Sequence, residues 1–169
     1  MNAPHRVARD QAGERTRYED IEVGAPLGPM PWSFDQAAIA RICESDDDFH
    51  EWYSVESPWG GTIAPCLISY PPVRLMFSQR YNVRGLFYGY EMENHAPLRP
   101  DVAYTLTGRI SRKWIKNNRE FVEYEAHCHD PQGQLVFTTR RSHALDFLTR
   151  DVPKTATGVD SGAGGRLSA

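Results

Sequence analysis

Residues 102–129 hold two stretches in which apolar and polar side chains alternate, each closed by a turn signal. In DVAYTLTGRI the apolar positions are Val102, Tyr104, Leu106 and Ile110; in FVEYEAHCH they are Val122, Tyr124, Ala126 and Cys128. A period of two sends successive side chains to opposite faces of a strand, so each stretch reads as a strand with one buried face. KNNRE lies between the two, and its asparagines tolerate the left-handed backbone of a tight hairpin. DPQGQ supplies a second turn ahead of LVFTTRRSHAL, and GLFYGYEMEN supplies a strand before them all. A chain built this way is committed to an antiparallel meander, which must bury its apolar face against another layer.

The first half reads as helical. SFDQAAIARICES starts with Ser33 and carries Gln36 three residues on, a capping-box pattern, and Ile39, Ile42 and Cys43 fall on one helical face. IAPCLISYPPVRLMFSQRY is the second helical segment. Pro65 suits a first helical turn, where its missing N–H costs nothing. Pro71 and Pro72 cannot sit inside a regular helix, because each lacks a donor and its ring clashes with the carbonyl four residues back. A bend or break is therefore predicted between Ser69 and Val73. Helices followed by a meander define the α+β class. Residues 1–17 are polar and without periodicity, and are expected to form a flexible arm. The Gly-, Ser-, Thr- and Ala-rich stretch 148–169 is expected to be a disordered tail, which leaves a single domain over 18–147.

Composition removes several classes of function. A net charge of −3 has the wrong sign for a nucleic-acid or anionic-membrane partner. No apolar run approaches the roughly 18 residues of a membrane span, and the first residues have no signal-peptide core. Cys43, Cys66 and Cys128 are odd in number and widely spaced, so neither a disulfide framework nor a zinc site is indicated. These features predict a reduced, cytoplasmic protein with no metal or cofactor. His127 and His129 share one strand face but lack an evident third ligand.

The chemistry concentrates in DDDFHEWYSVESPWGGTIAPC, residues 46–66. Asp46, Asp47 and Asp48 read either as helix-to-loop punctuation or as a source of one acid, with Asp48 best placed. His50 is a general base or a surface residue. Trp52 and Tyr53 line a binding tunnel or anchor the core, and Tyr53 is a poor base because a tyrosine titrates near pH 10. His95, in ENHAPLRP, sits at a strand end that would approach such a tunnel. Arg109, Arg112, Lys113, Lys116 and Arg119 crowd one hairpin and read as phosphate ligands or as a solvated surface.

This layout resembles a known one. An early helix, an Asp-bearing loop, SPWGGTIAP, a long central helix and a meander are similar to the hotdog fold over about residues 18–146. More narrowly, they resemble the MaoC-like acyl-thioester hydratases and dehydratases. YEDIEVGAPLGP resembles that family's opening strand, and FVEYEAHCHDPQGQLVFTTRRS its closing hairpin. HAPLRPDVAYTLTGRI resembles the stretch where a Gly-Asp turn opens a long strand, with Pro100 in place of the glycine. The resemblance implies a curved antiparallel sheet wrapped around a central helix. In the family an Asp, with a His five residues later, moves the proton and activates water. Here the position five after Asp48 is Tyr53, and His50 follows Asp48 by only two. The family's Ala-His-Gly at the helix start is Ala64-Pro65-Cys66; Cys66 keeps a backbone N–H for an oxyanion hole, whereas Pro65 removes one donor. DDFHEWY and GTIAP are closer to the fatty-acid-elongation dehydratases, in which an acyl-binding subunit lacks the His and a second hotdog subunit carries the pair.

Two functions follow as expectations. One is hydration or dehydration of a 2-enoyl or 3-hydroxyacyl thioester of coenzyme A or acyl carrier protein. It would use Asp48, His50 and Tyr53, with Trp52, Gly61, Cys66 and His95 around the substrate. The other is a non-catalytic acyl-binding subunit of a heteromeric dehydratase. Either implies a homodimer or a heterodimer with a second hotdog subunit.

Overall fold

The computed structural model describes residues 14–145. The strands are β1 (Pro26–Trp32), β2 (Gly85–Asn94), β3 (Tyr104–Lys116), β4 (Arg119–His129) and β5 (Leu135–Leu145), and the α-helices are α1 (Gln36–Asp46) and α2 (Tyr70–Arg80). Among the described residues the strands form one antiparallel sheet in the order β1-β3-β4-β5-β2. This is the α+β arrangement expected from the sequence. The residues 1–13 of the expected arm and the expected tail lie outside the described residues. Residues 14–17 are tied down, since Thr16 N donates to Asn82 O at 3.0 Å and Asn82 Nδ2 donates to Glu14 O at 3.0 Å.

The meander forms where the alternation places it. Asn117 and Asn118 turn the β3–β4 hairpin at φ 51° and 56°, the left-handed region that asparagine accepts most readily. Asp130 Oδ1 closes the next turn by accepting from the amides of Gln132 and Gln134, at 2.9 and 2.8 Å. The turn before β3 runs through Pro100 and Asp101, and Asp101 takes the left-handed conformation at φ 61°. Register shifts interrupt all four strand pairings, and such bulges increase the local twist and curl.

The concave face closes on α2. Val73, Met76 and Phe77 are each no more than 1% exposed and pack against the inward residues of β3 and β4. Gly108 lets β3 approach this helix, because a Cβ there would lie 2.9 Å from Met76 Cε. The predicted break is a change of helix type: Cys66–Ser69 form a 3-10 turn that runs into α2 at Tyr70. Pro71 and Pro72 then occupy the first turn of α2, where no intrahelical donor is needed. Pro65 is extended at φ −58° and ψ 143°, so it precedes the helical turn rather than opening it. The start of α1 also differs from the capping-box reading. Asp35, not Ser33, is the N-cap, its carboxylate accepting from Ala38 N at 2.8 Å. Phe34 between them is drawn into the core, and that holds the chain extended two residues longer.

Polar side chains share this core. The inward row of β5 places Arg141 and His143 beside Phe137 and Leu145. His143 Nε2 lies 3.2 Å from the Tyr124 hydroxyl, and its ring lies parallel to those of Tyr124 and Phe77. Burial, followed by the charges of Arg74 and Arg141, lowers the His143 pKa to about 3. The unfolded chain takes that proton near pH 6.5. The folded-state pKa is thus depressed, so the stability tied to neutral His143 is complete above about pH 6.5 and is lost as pH falls toward 3. The unfolding free energy from urea titrations is expected to drop between about pH 6.5 and pH 5, by at most roughly 1.4 kcal/mol per pH unit. His143→Phe should flatten that slope; an equal slope in the variant would place its origin elsewhere.

Candidate functional site

The loop after α1 sorts its three aspartates by backbone position. Asp46 is the last helical residue, and Asp47 reverses the chain at φ 53° as the C-cap. Asp48 N then bonds back to Cys43 O at 3.1 Å. Only Asp48 of the three is partly buried. A single 3-10 turn, Glu51–Tyr53, follows at once and returns the chain on itself. The Tyr53 hydroxyl thereby donates to Asp48 Oδ2 at 3.2 Å. Asp48 and Tyr53, five residues apart in the chain, are thus joined as an Asp–Tyr pair.

His50 has a different place from the one its chemistry suggested. Its Nδ1 accepts from Trp52 N at 3.2 Å, so the imidazole caps the short turn that carries Trp52 and Tyr53. Its ring lies 4.5 Å from that of Trp52 and 5.7 Å from that of Tyr53. Trp52 is part-buried and meets Trp59 edge-on at 5.2 Å, and its carbonyl accepts from Ile63 N at 3.0 Å. Gln36, freed by the Asp35 cap, donates to Tyr53 O at 2.6 Å and ties the start of α1 to the site.

Gly60 and Gly61 turn at φ 75° and 66°, which only glycine adopts at little cost. The turn is closed by Ser57 N to Gly61 O and Gly60 N to Ser57 O, both at 2.9 Å. The Arg99 guanidinium reaches across from the segment before β3 and donates to the carbonyls of Trp59 and Gly60. No local pattern flagged Arg99, since it meets residues about forty positions away.

The helical start lies beside this loop. Cys66 and Leu67 open the 3-10 turn, so their amides have no partner within it, while Ile68 N already bonds Pro65 O. Ser69 Oγ donates to Cys66 O at 2.7 Å, and Asn94 Nδ2 contacts Cys66 Sγ at 3.2 Å. Asn94, unremarked in the sequence, therefore reaches the site from the end of β2. His95 is exposed, and its Nδ1 lies 3.9 Å from Glu93 Oε1; no hydrogen bond joins its ring to the Asp48–Tyr53 pair.

Burial, then the hydrogen bond to Asp48 and that carboxylate's charge, raise the Tyr53 pKa to about 12, with Cys66 and Cys43 close enough to add to the effect. Tyr53 is therefore a hydrogen-bond donor at neutral pH and not a base. The assembled groups are a half-buried carboxylate held by a phenol, and helix-start amides suited to a developing negative charge. Among the described residues no cluster of His, Cys, Asp or Glu is arranged to hold a metal ion. The basic hairpin is partly engaged: Arg109 pairs with Glu125 at 2.5 Å, Arg112 with Glu123 at 2.9 Å, and Lys113 Nζ donates to Tyr18 O at 2.9 Å. No helix among the described residues is long and apolar enough to cross a membrane.

A curved antiparallel sheet wrapped on one central helix is the hotdog fold, and solved structures of that fold superimpose on this chain. The chain superimposes on the monoamine oxidase regulatory protein of Archaeoglobus fulgidus with TM-score 0.67 and 16% identity, over 78% of this chain and 94% of the other. It is similar to the HadBC 3R-hydroxyacyl-ACP dehydratase complex of Mycobacterium tuberculosis at TM-score 0.66 and 12% identity, covering 72% and 96% respectively. A MaoC-like dehydratase from Rhodospirillum rubrum matches at TM-score 0.62 and 16% identity, over 79% and 97%. No family model matches the sequence, and no curated protein is similar to it at a significant level. At these identities the likeness establishes the hotdog fold.

Arg99→Met is expected to release the 57–61 turn, because hydrogen bonds to a charged group contribute roughly 1.5–3 kcal/mol. Amide exchange at Ser57 and Gly60 should accelerate while the β4 amides stay protected. Unchanged protection at both would show that the turn holds without Arg99.

Proposed function

We propose that this chain acts on an acyl thioester, hydrating a 2-enoyl group or dehydrating a 3-hydroxyacyl group carried on coenzyme A or acyl carrier protein. The observation that carries the reading is the Asp48–Tyr53 hydrogen bond, formed at the family's Asp/His spacing beside the helix that begins at Cys66. The thioester carbonyl would rest against the amides of Cys66 and Leu67, which face developing charge without a competing helical partner. Asp48 would accept the proton of the incoming water, and Tyr53 would orient the carboxylate. Trp52 and Gly61 would shape the entrance, and His50 would support the turn that presents the pair. His95 would take part only if a bound substrate draws its ring from Glu93.

A second reading, an acyl-binding subunit without catalysis of its own, is favoured by one observation. Tyr53 stands where the family's His stands, and at about 12 its pKa is too high for base catalysis. Complexes of paired chains among the similar structures, HadBC and ChsH1–ChsH2 of Mycobacterium tuberculosis, support a second hotdog subunit. So does the outer strand β2, where Leu86, Phe87 and Tyr88 are 42%, 46% and 53% exposed on an unpaired edge. Light scattering at micromolar concentration is expected to give the mass of a pair, and Tyr88→Glu to shift it toward one chain; a wild-type monomer that no hotdog partner recruits would refute the pairing.

Asp48→Asn keeps the size and removes the charge. It is expected to lower hydration of crotonyl-CoA by roughly 10²-fold or more, the contribution of a positioned acid or base. Wild type that binds crotonyl-CoA without hydrating it would favour the subunit reading. An active wild type matched by Asp48→Asn would refute the role given to the loop.

A further inference from the structure

Arg141 is 2% exposed and lies in the inward row that pairs Tyr124 of β4, Arg141 of β5 and Tyr90 of β2. The alternation of β5 fixes this position: Arg140 points outward to Glu91, so its neighbour must point in. One Arg141 nitrogen donates to Tyr70 O at 2.8 Å, and its guanidinium lies 3.7 Å from the Tyr70 ring and 5.2 Å from that of Phe87. Its Nε is buried and has no hydrogen-bond partner. Arg74, on α2 and part-buried, joins the same cluster and donates to Ser78 Oγ and Val83 O. Burial and the nearby Arg141 weigh against its charge.

Neither arginine takes part in an ion pair among the described residues. The buried acid Glu123 is engaged by Ser111 and Arg112. Buried charges are ordinarily paired, because removal from water costs more than aromatic faces and one carbonyl return. A buried arginine with an orphaned Nε and no acid paired with it among the described residues leaves room in the charge balance for an anionic ligand.

Position indicates the kind of anion. Tyr70 follows Cys66 by four residues of 3-10 turn, which at about 2 Å per residue places it roughly 8 Å along the helical rod. Ser69 connects the two ends, donating to Cys66 O and lying 3.5 Å from the Tyr90 hydroxyl. A guanidinium fork takes carboxylate or phosphate alike, and the flat Tyr70 and Phe87 rings beside a 2%-exposed Arg141 favour the smaller, planar carboxylate. Phe87, half exposed at the sheet edge, is the side chain that would swing aside to admit it.

We propose that Arg141, with Arg74 behind it, seats a second carboxylate at the far end of the acyl group, so that the preferred thioester is a short ω-carboxyacyl one. This rests on the acyl-thioester reading above. The test compares glutaconyl-CoA with 2-pentenoyl-CoA, which have equal chain length and end in a carboxylate and a methyl group. Wild type is expected to favour glutaconyl-CoA by about 50-fold, the scale of a charge-assisted pair, in kcat/KM or, if the chain only binds, in Kd by calorimetry. Arg141→Met should bring that ratio near one, and Arg141→Lys should retain part of it. A wild-type ratio near one overturns this proposal and leaves the thioester reading standing; binding of neither thioester overturns both. An unchanged ratio in Arg141→Met, with the pair falling to single chains, would show that the anion is a partner's side chain and overturn the proposal too. The wild-type ratio decides the matter even if the variants do not fold.

Discussion

Pro71 and Pro72 decide where the central helix can begin, and most of the molecule is arranged around that decision. A proline inside the helix would cost about 3 kcal/mol through a lost bond and a steric clash. Both are accommodated by starting α2 at Tyr70 and leading into it with a tighter turn from Cys66. This register sends Val73, Met76 and Phe77 onto the concave face of the sheet. It also leaves the amides of Cys66 and Leu67 free at the end nearest the Asp48 loop. The constraint that shapes the core thus also creates the anion-friendly end of the site.

The loop reaches that helix start by short-range devices. A left-handed Asp47, one 3-10 turn and a His50 cap bring residue 53 back to residue 48. Gln36 and Arg99 then fasten the loop to α1 and to the segment before β3. The pair is therefore supported on both sides by other parts of the fold, as the proposed role of Asp48 would require.

How much of this was legible depends on the range of the interaction. β3 and β4 could be read closely because a period-two pattern is a property of consecutive residues, as is the asparagine turn at 117–118. The start of α1 was misplaced because Ser33 and Asp35 both suit a cap, and burial of Phe34, a tertiary fact, selects between them. At the site, the spacing of Asp48 and Tyr53 was visible, but the capping role of His50 was not, since it follows from backbone angles. Arg99 and Asn94 were invisible for a different reason. They act across roughly forty and thirty residues, and nothing in their neighbourhoods announces it. Arg141 was half legible: the alternation of LVFTTRRSHAL already requires one of its two arginines to face the core.

Tyrosine in place of histidine changes what the site can do with protons. A histidine at position 53 could both take and return a proton near neutral pH. Tyr53, raised to about 12, keeps its proton and gives only a hydrogen bond. His50 spends one ring nitrogen on Trp52 N. Asp48 is then the one carboxylate in the loop that is both half-buried and oriented by a neighbour. Adding water across a double bond needs a proton removed from the water and another delivered to carbon. Under the proposed hydration, Asp48 would serve both steps in turn, or a second chain would supply the missing group. The same replacement therefore links the two functional readings, because the weaker the chemistry of Tyr53, the more the site depends on a neighbour at the open β2 edge.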